Sequence, residues 1–302
     1  MKILVTGGAG FAGSYLLPLL KTKEKAEIFS LDRGPALEVT SLQMDLLDLA
    51  KVRRTILELA PDEVYHLAAF ASAASEEKDL IFNINVGATE NLLKSLAQTG
   101  KKVRIVLISS LYVYGIIPLP AREKNPLDPQ GAYGQSKAQM ERVGEKFMGS
   151  NLEIVIARPA NHTGAGQKLG FVVPDFASQI VAIEKKKQKP VLRVGNLTAQ
   201  RDFLDVRDVV GAYYLLMKKG QPGEAYNIST GKPYSIEEIL NRLLKLSWVK
   251  IKIALDKKKF RPVDLPLSSG NPSKIKKLGW HAKIPLDRTL KDVLDYWRKR
   301  WE

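Results

Sequence analysis

Short apolar stretches without polar alternation recur through the first half of the chain, separated by segments of helical periodicity. The strands read Lys2 to Thr6, Glu27 to Leu31, Leu42 to Asp45, Glu63 to Leu67, Arg104 to Ser109 and Glu153 to Ala157. Between them, Tyr15, Leu16, Leu17, Leu19 and Leu20 share a helical face, and further helices are predicted from Leu80 to Gln98 and from Ala132 to Met148. Strands that are apolar throughout belong to a parallel sheet covered on both sides. Right-handed crossovers then make a doubly wound parallel α/β sheet.

After Pro159 the pattern loosens, with glycine and proline at Gly164, Gly166, Gly170 and Pro174. Helices are predicted over Val173 to Lys186, Val206 to Lys218, Ser235 to Leu246 and Pro285 to Trp301. Strands are predicted over Val191 to Val194, Tyr226 to Ser229 and Trp248 to Ala254. The expected organisation is a dinucleotide-binding domain over residues 1–160 and a smaller lobe over 161–302, with some segments crossing back.

The first loop, Thr6-Gly7-Gly8-Ala9-Gly10-Phe11-Ala12-Gly13, joins the first strand to the first helix. Glycine at these spacings allows a tight turn, backbone approach to a pyrophosphate and close helix–strand packing, with the phosphates on the helix N-terminus. Together with the strand and helix around it, the loop identifies a Rossmann dinucleotide site for NAD(H) or NADP(H). Asp32, about twenty residues on, is placed to bond the adenosine ribose diol, which favours NAD. Arg33 beside it would accept a 2′-phosphate, which favours NADP, so both cofactors stay open. Asp45, with Leu46 beside it at the end of the third strand, is a candidate for the adenine amino group; its alternative is a loop cap.

Tyr133-Gly134-Gln135-Ser136-Lys137 puts a phenol and an amine one turn apart on one helix face. A neighbouring ammonium is expected to favour the phenolate, so that Tyr133 exchanges a proton with a sugar oxygen as hydride moves. Lys137 would also hold the nicotinamide ribose. Ser110 ends the fifth strand, where ligands of open α/β sheets bind, and would bond the same substrate oxygen.

Composition narrows the partners. Of 302 residues 47 are basic and 32 acidic, a formal charge of +15. That balance suits an anionic ligand such as a dinucleotide or sugar diphosphate, or simply a lysine-rich surface. The basic residues are scattered, with short runs at Lys185 to Lys187, Lys257 to Lys259 and Arg298 to Arg300. They do not interleave with aromatics, so no nucleic-acid partner is expected. There is no cysteine, which rules out disulfides and thiolate metal sites, and no metal is expected. No apolar run is long enough for a membrane span, and no signal peptide is read. A cytoplasmic enzyme is the expectation.

Several of these segments resemble the extended short-chain dehydrogenase/reductase family. The resemblance rests on Thr6 to Gly13, His66-Leu67-Ala68-Ala69, Asn85-Val86 with Thr89, Ser109-Ser110, Val113-Tyr114-Gly115, Tyr133 to Lys137 and Arg158-Pro159. It implies that Leu67, Ala68 and Ala69 line the cofactor, that Ser110, Tyr133 and Lys137 form the catalytic set, and that Asn85 is structural. It also implies a homodimer built on the helices over Leu80 to Gln98 and Ala132 to Met148.

The second half is similar to the members acting on GDP-sugars, the 4,6-dehydratases and especially the 4-keto-6-deoxymannose reductases. The matching segments are Asn161 to Gln167, Gly170-Phe171-Val172, Val194 to Leu197, Arg201-Asp202-Phe203, Arg261 to Asp264 and Leu278-Gly279-Trp280. By this likeness Asn161, Val172, Arg201, Arg261 and Asp264 face a nucleotide-sugar substrate, with the arginines as bidentate donors to diphosphate or ribose. His162 is read as structural. Dehydratases of the family carry an acid just after the catalytic Ser or Thr, whereas here Leu111, Tyr112 and Val113 follow Ser110. The expected activity is reduction of the C4 ketone of a nucleotide-activated 6-deoxy sugar, giving a GDP-sugar of the rhamnose type. A nucleotide-sugar 4-epimerase is the alternative.

Overall fold

The computed structural model describes residues 1–36, 38–70, 77–149, 151–260 and 265–300. Its main sheet takes strands β1 (Lys2–Thr6), β2 (Glu27–Asp32), β3 (Thr40–Gln43), β4 (Glu63–His66), β5 (Val103–Ile108), β6 (Leu152–Pro159) and a late one, Ala225–Ile228. The last of these pairs in parallel with β6. The order across the sheet is Ala225–Ile228, then β6, β5, β4, β1, β2, β3. Strand order reverses between β1 and β4, which opens a crevice at the carboxyl ends of the strands.

Alternation along each buried strand assigns its side chains to the two faces. Ile3 and Val5 of β1 join Val106, Val155 and the helices α1 (Phe11–Lys23) and Val206–Lys219 on one side. Leu4, Ile105, Leu107 and Ile154 join the other side. There they meet α2 (Leu49–Leu59), the segment Lys78–Ala97 and the helix Gly131–Lys146. The predicted long helix over 80–98 is observed as α3 (Lys78–Phe82), a π-turn over Asn83–Gly87, and α4 (Ala88–Ala97). Helix Gly131–Lys146 is α5. Helix α2 was absent from the sequence reading, although Val52, Ile56 and Leu59 lie on one face and Asp48 caps it.

Beyond β6 follow β7 (Asn161–Thr163), α6 (Val172–Glu184), β8 (Val191–Val194), β9 (Gln200–Asp205) and α7 (Val206–Lys219). Next come β10 (Ala225–Ile228), β11 (Pro233–Ser235), α8 (Ile236–Leu244), β12 (Lys252–Leu255), β13 (Leu267–Ser268), α9 (Ser273–Lys277) and α10 (Leu286–Arg300). The predicted strand from Trp248 is thus confined to its second half. Ser235 caps α8 in a reciprocal box with Glu238. Strand β9 is flanked by β11, β13 and β7, and β12 pairs with β8. Their core, Phe176, Ile180, Leu192, Leu240, Leu290 and Trp297 among others, is separate from the two on either face of the main sheet. The fold is a Rossmann-type doubly wound sheet with a smaller C-terminal lobe. Among the described residues no helix is long and apolar enough to cross a membrane.

Candidate active site

The crevice at the strand ends is continuous with a groove in the C-terminal lobe, forming one cleft of about 1070 Å³. That exceeds the volume of about 300–1,000 Å³ that serves one drug-sized ligand. Every described residue singled out in the sequence for cofactor or substrate lines it. Arg261 and Asp264 lie outside the described residues.

One half fits a dinucleotide. Gly7 has φ +75°, and a Cβ there would lie 2.6 Å from the Ala68 nitrogen. A Cβ on Gly13 would strike the Gly7 carbonyl and lie 2.5 Å from Gly8 Cα. Gly10 starts α1 with no side-chain cap. The first N–H groups of the helix, at Phe11 and Ala12, are thereby left for an anion. Asp32 follows at the end of β2; its carboxylate accepts from the Ala9 N–H at 3.0 Å and from the Ser30 hydroxyl at 2.8 Å. Burial pushes its carboxyl up. Arg33 is exposed on the rim beside it. Leu46, Leu67, Ala68 and Ala69 complete the wall. Asp45 lies two residues beyond β3, which ends at Gln43, and its carboxylate accepts from the Leu47 N–H at 2.9 Å, the loop-cap alternative. It caps a turn while still facing the cleft.

The three residues expected to be catalytic line the same cleft. β5 ends at Ile108, one residue before the strand read from the sequence, and Ser110 caps a 3-10 turn over Leu111–Tyr114, its hydroxyl accepting from the Tyr112 N–H at 3.2 Å. The phenol of Tyr133, in the first turn of α5, faces the Ser110 hydroxyl, which favours its ionised form against the effect of burial. The Lys137 amine, one turn on, donates to the Ile108 carbonyl at 2.7 Å. The expectation that this amine acidifies the phenol is corrected. Burial pushes the Tyr133 phenol up to about 12 and the Lys137 amine down to about 7. Removing each group from water favours its neutral form.

A buried polar chain fixes α5 relative to β1. The Thr6 hydroxyl bonds His66 Nδ1 at 2.7 Å, and His66 Nε2 bonds the Thr89 hydroxyl at 2.8 Å. Thr89 donates to the Asn85 carbonyl at 2.7 Å. The Asn85 amide, in the π-turn, donates to the Ser136 hydroxyl at 2.9 Å, and Ser136 donates to the Tyr133 carbonyl at 2.8 Å. Burial pushes His66 down to about 3, so it is neutral.

The C-terminal lobe supplies Asn161 on β7, Val172 at the start of α6 and Arg201 on β9. The Arg201 Nε donates to the Tyr112 hydroxyl at 3.3 Å. The Tyr112 ring meets that of Tyr133 edge-on, with centroids 5.8 Å apart. His162 stacks on Phe11 at 6.3 Å, bridging the glycine loop to the lobe. Sequence reasoning missed Tyr112 as a cleft residue, though its place two residues after Ser110 was a signal. It also treated Lys258 and Lys259 as part of a surface run, whereas they line the cleft mouth with Phe260 and Lys168.

Fold and site together define an enzyme of the extended short-chain dehydrogenase/reductase type, with a dinucleotide half and a substrate half sharing one cleft. Residues 4–293 match the GDP-mannose 4,6-dehydratase family, and the chain belongs to that family. It is 34% identical to the GDP-6-deoxy-D-talose 4-dehydrogenase of Aggregatibacter actinomycetemcomitans over 91% of this chain and 90% of that one. It is 30% identical to the GDP-6-deoxy-D-mannose reductase of Pseudomonas aeruginosa over 99% of this chain and 98% of the relative. The structure of RMD from that organism, complexed with NADPH, superposes with a TM-score of 0.85, at 29% identity and 99% coverage of each chain. A UDP-glucose 4-epimerase of Thermotoga maritima, solved with UDP-glucose, superposes with a TM-score of 0.90, at 26% identity over the whole of both chains.

Proposed function

We propose that the protein reduces the C4 ketone of a nucleotide-activated 6-deoxy sugar, GDP-4-keto-6-deoxy-D-mannose to GDP-D-rhamnose, with NADH or NADPH. The observation that carries this reading is the Ser110–Tyr133 pair at the end of β5, with no carboxylate at the next three positions. NAD(P)H, when bound, supplies the hydride. Ser110 holds the ketone oxygen and Tyr133 protonates it. A phenol pushed up to about 12 keeps its proton at neutral pH, the form a reduction needs. Lys137 would hold the nicotinamide ribose once the cofactor is bound. Asn161, Val172 and Arg201 hold the nucleotide sugar, joined by Arg261 and Asp264. Two GDP-6-deoxysugar enzymes among the relatives support the same substrate class.

The test mixes the enzyme with GDP-4-keto-6-deoxy-D-mannose and each reduced cofactor and follows cofactor oxidation. Interconversion of UDP- or GDP-hexoses with no net oxidation would instead favour an epimerase. A cytoplasmic homodimer joined through helices α3 to α5 goes with the proposal; sedimentation equilibrium tests the dimer.

A further inference from the structure

Behind the catalytic residues lies a buried charge cluster that the mechanism above does not use. Glu141 is one turn beyond Lys137 on α5, on the same helix face, and is fully buried. Arg158 on β6 grips its carboxylate: Nε donates to Oε1 at 2.9 Å and a terminal NH2 to Oε2 at 2.6 Å. The Ser109 hydroxyl donates to Oε1 as well. Ile108 and Ser109, successive residues at the end of β5, are thus tied to Lys137 and Glu141, on successive turns of α5. The next residue, Ser110, meets Tyr133 one turn earlier on the same helix. A buried ion pair gains little stability over apolar residues of the same shape. Two adjacent residues bonded to successive turns of the helix, with the next facing Tyr133 a turn earlier, is the geometry of a register lock.

We propose that Glu141 is a positioning residue for catalysis: held by Arg158, it locks the end of β5 to α5 so that Ser110 meets Tyr133, and it is the counter-charge that the Lys137 ammonium faces. The inference rests on the assignment of Ser110, Tyr133 and Lys137 as the catalytic set. No other acid competes for the role among the described residues packed around Lys137. β4 contributes His66, buried and neutral. The turn over Leu111–Tyr114 contributes two tyrosines, and β6 contributes Arg158. On α3 and α4, Lys78 and Asp79 are exposed, and Glu90 pairs with Lys94 at 2.7 Å at the surface. The carboxylate of Glu141 acts on Lys137 against the burial that pushes its amine down.

The test is lysine side-chain NMR on cofactor-free protein carrying 13Cε-lysine, with the Lys137 signal assigned by its loss in Lys137→Met. In Glu141→Gln the titration midpoint of Lys137 falls by about one pH unit, because an opposing carboxylate has been removed. The same variant loses at least tenfold in kcat with KM for the keto-sugar nearly unchanged, and Glu141→Asp recovers part of both. Ser109→Ala breaks the lock while keeping the charge, so kcat falls and the midpoint stays. Should Glu141→Gln fail to fold, the double variant Glu141→Gln/Arg158→Met removes the orphaned arginine, and the midpoint must still fall. An unmoved midpoint in either folded variant overturns the counter-charge. An unchanged kcat in Ser109→Ala overturns the lock. If no form of the protein turns over the keto-sugar, the proposed function fails while the NMR midpoint still judges the role of Glu141.

Discussion

On the proposed mechanism, replacing the Lys137 amine should make the protein inactive and more stable at once. Lys137 is 3% exposed, and burial carries its amine from an ordinary 10.5 down to about 7. At ~1.4 kcal/mol per pH unit, that depression is a penalty of about 5 kcal/mol on the folded state wherever the unfolded lysine is fully charged and the folded one is too, at neutral pH and below. Between pH 7 and 10.5 the unfolded chain binds the extra proton, so wild-type stability rises with pH through this window. Lys137→Met removes the penalty but orphans the Ile108 carbonyl, which costs about 1–3 kcal/mol. A net gain of about 2–4 kcal/mol remains, which at ~2 °C or more per kcal/mol raises Tm by at least about 4 °C. Differential scanning calorimetry of cofactor-free wild type and variant at pH 7 and pH 9.5 reads this directly. The gap should be large at the lower pH and shrink at the higher one. A variant melting at or below wild type at pH 7 would refute the reasoning, since the amine would then be stabilising where it sits.

Four further outcomes follow from the same geometry. Tyr133→Phe leaves Tm nearly unchanged and lowers kcat by about 10²–10⁴-fold, read in steady-state kinetics, because only the proton donor is removed. Gly13→Ala forces a methyl against the backbone of Gly7 and Gly8, costing about 1–3 kcal/mol and abolishing dinucleotide binding in a fluorescence titration. Gly34→Ala, with nothing within 4 Å of the added carbon, leaves that binding intact. Gly211→Ala, in the middle of α7 and equally uncrowded, raises stability by about 0.5–1 kcal/mol in urea melts, since alanine is the better helix former.

The parts of the site legible in the sequence are those carried by one contiguous stretch. The glycine loop, Asp32 and the Tyr133–Lys137 pair each follow from a strand, a turn and a helix whose spacing fixes where the side chain goes. The electrostatics were not legible in the same way. A spacing of four residues puts Lys137 on the face of Tyr133, but says nothing of the burial that makes both prefer their neutral forms. Contacts between distant segments were hidden for a second reason. Arg201 reaches Tyr112 across 89 residues of sequence. Lys258 and Lys259 resemble any solvated run until the lobe brings them to the cleft. Strand β9 is hard to read because Gln200, Arg201 and Asp202 carry no apolar alternation, although Arg201 to Asp205 are buried in the lobe.

The most direct measurement supplies GDP-4-keto-6-deoxy-D-mannose with reduced cofactor deuterated at C4 of the nicotinamide, on each face in turn, and follows the label into the product by mass spectrometry and proton NMR. Direct reduction places one deuteron on C4 of the sugar from one of the two labelled faces, with one cofactor oxidised per sugar, and Tyr133→Phe suppresses both. Product in which C4 carries no label, or sugar turnover without cofactor oxidation, would contradict the account.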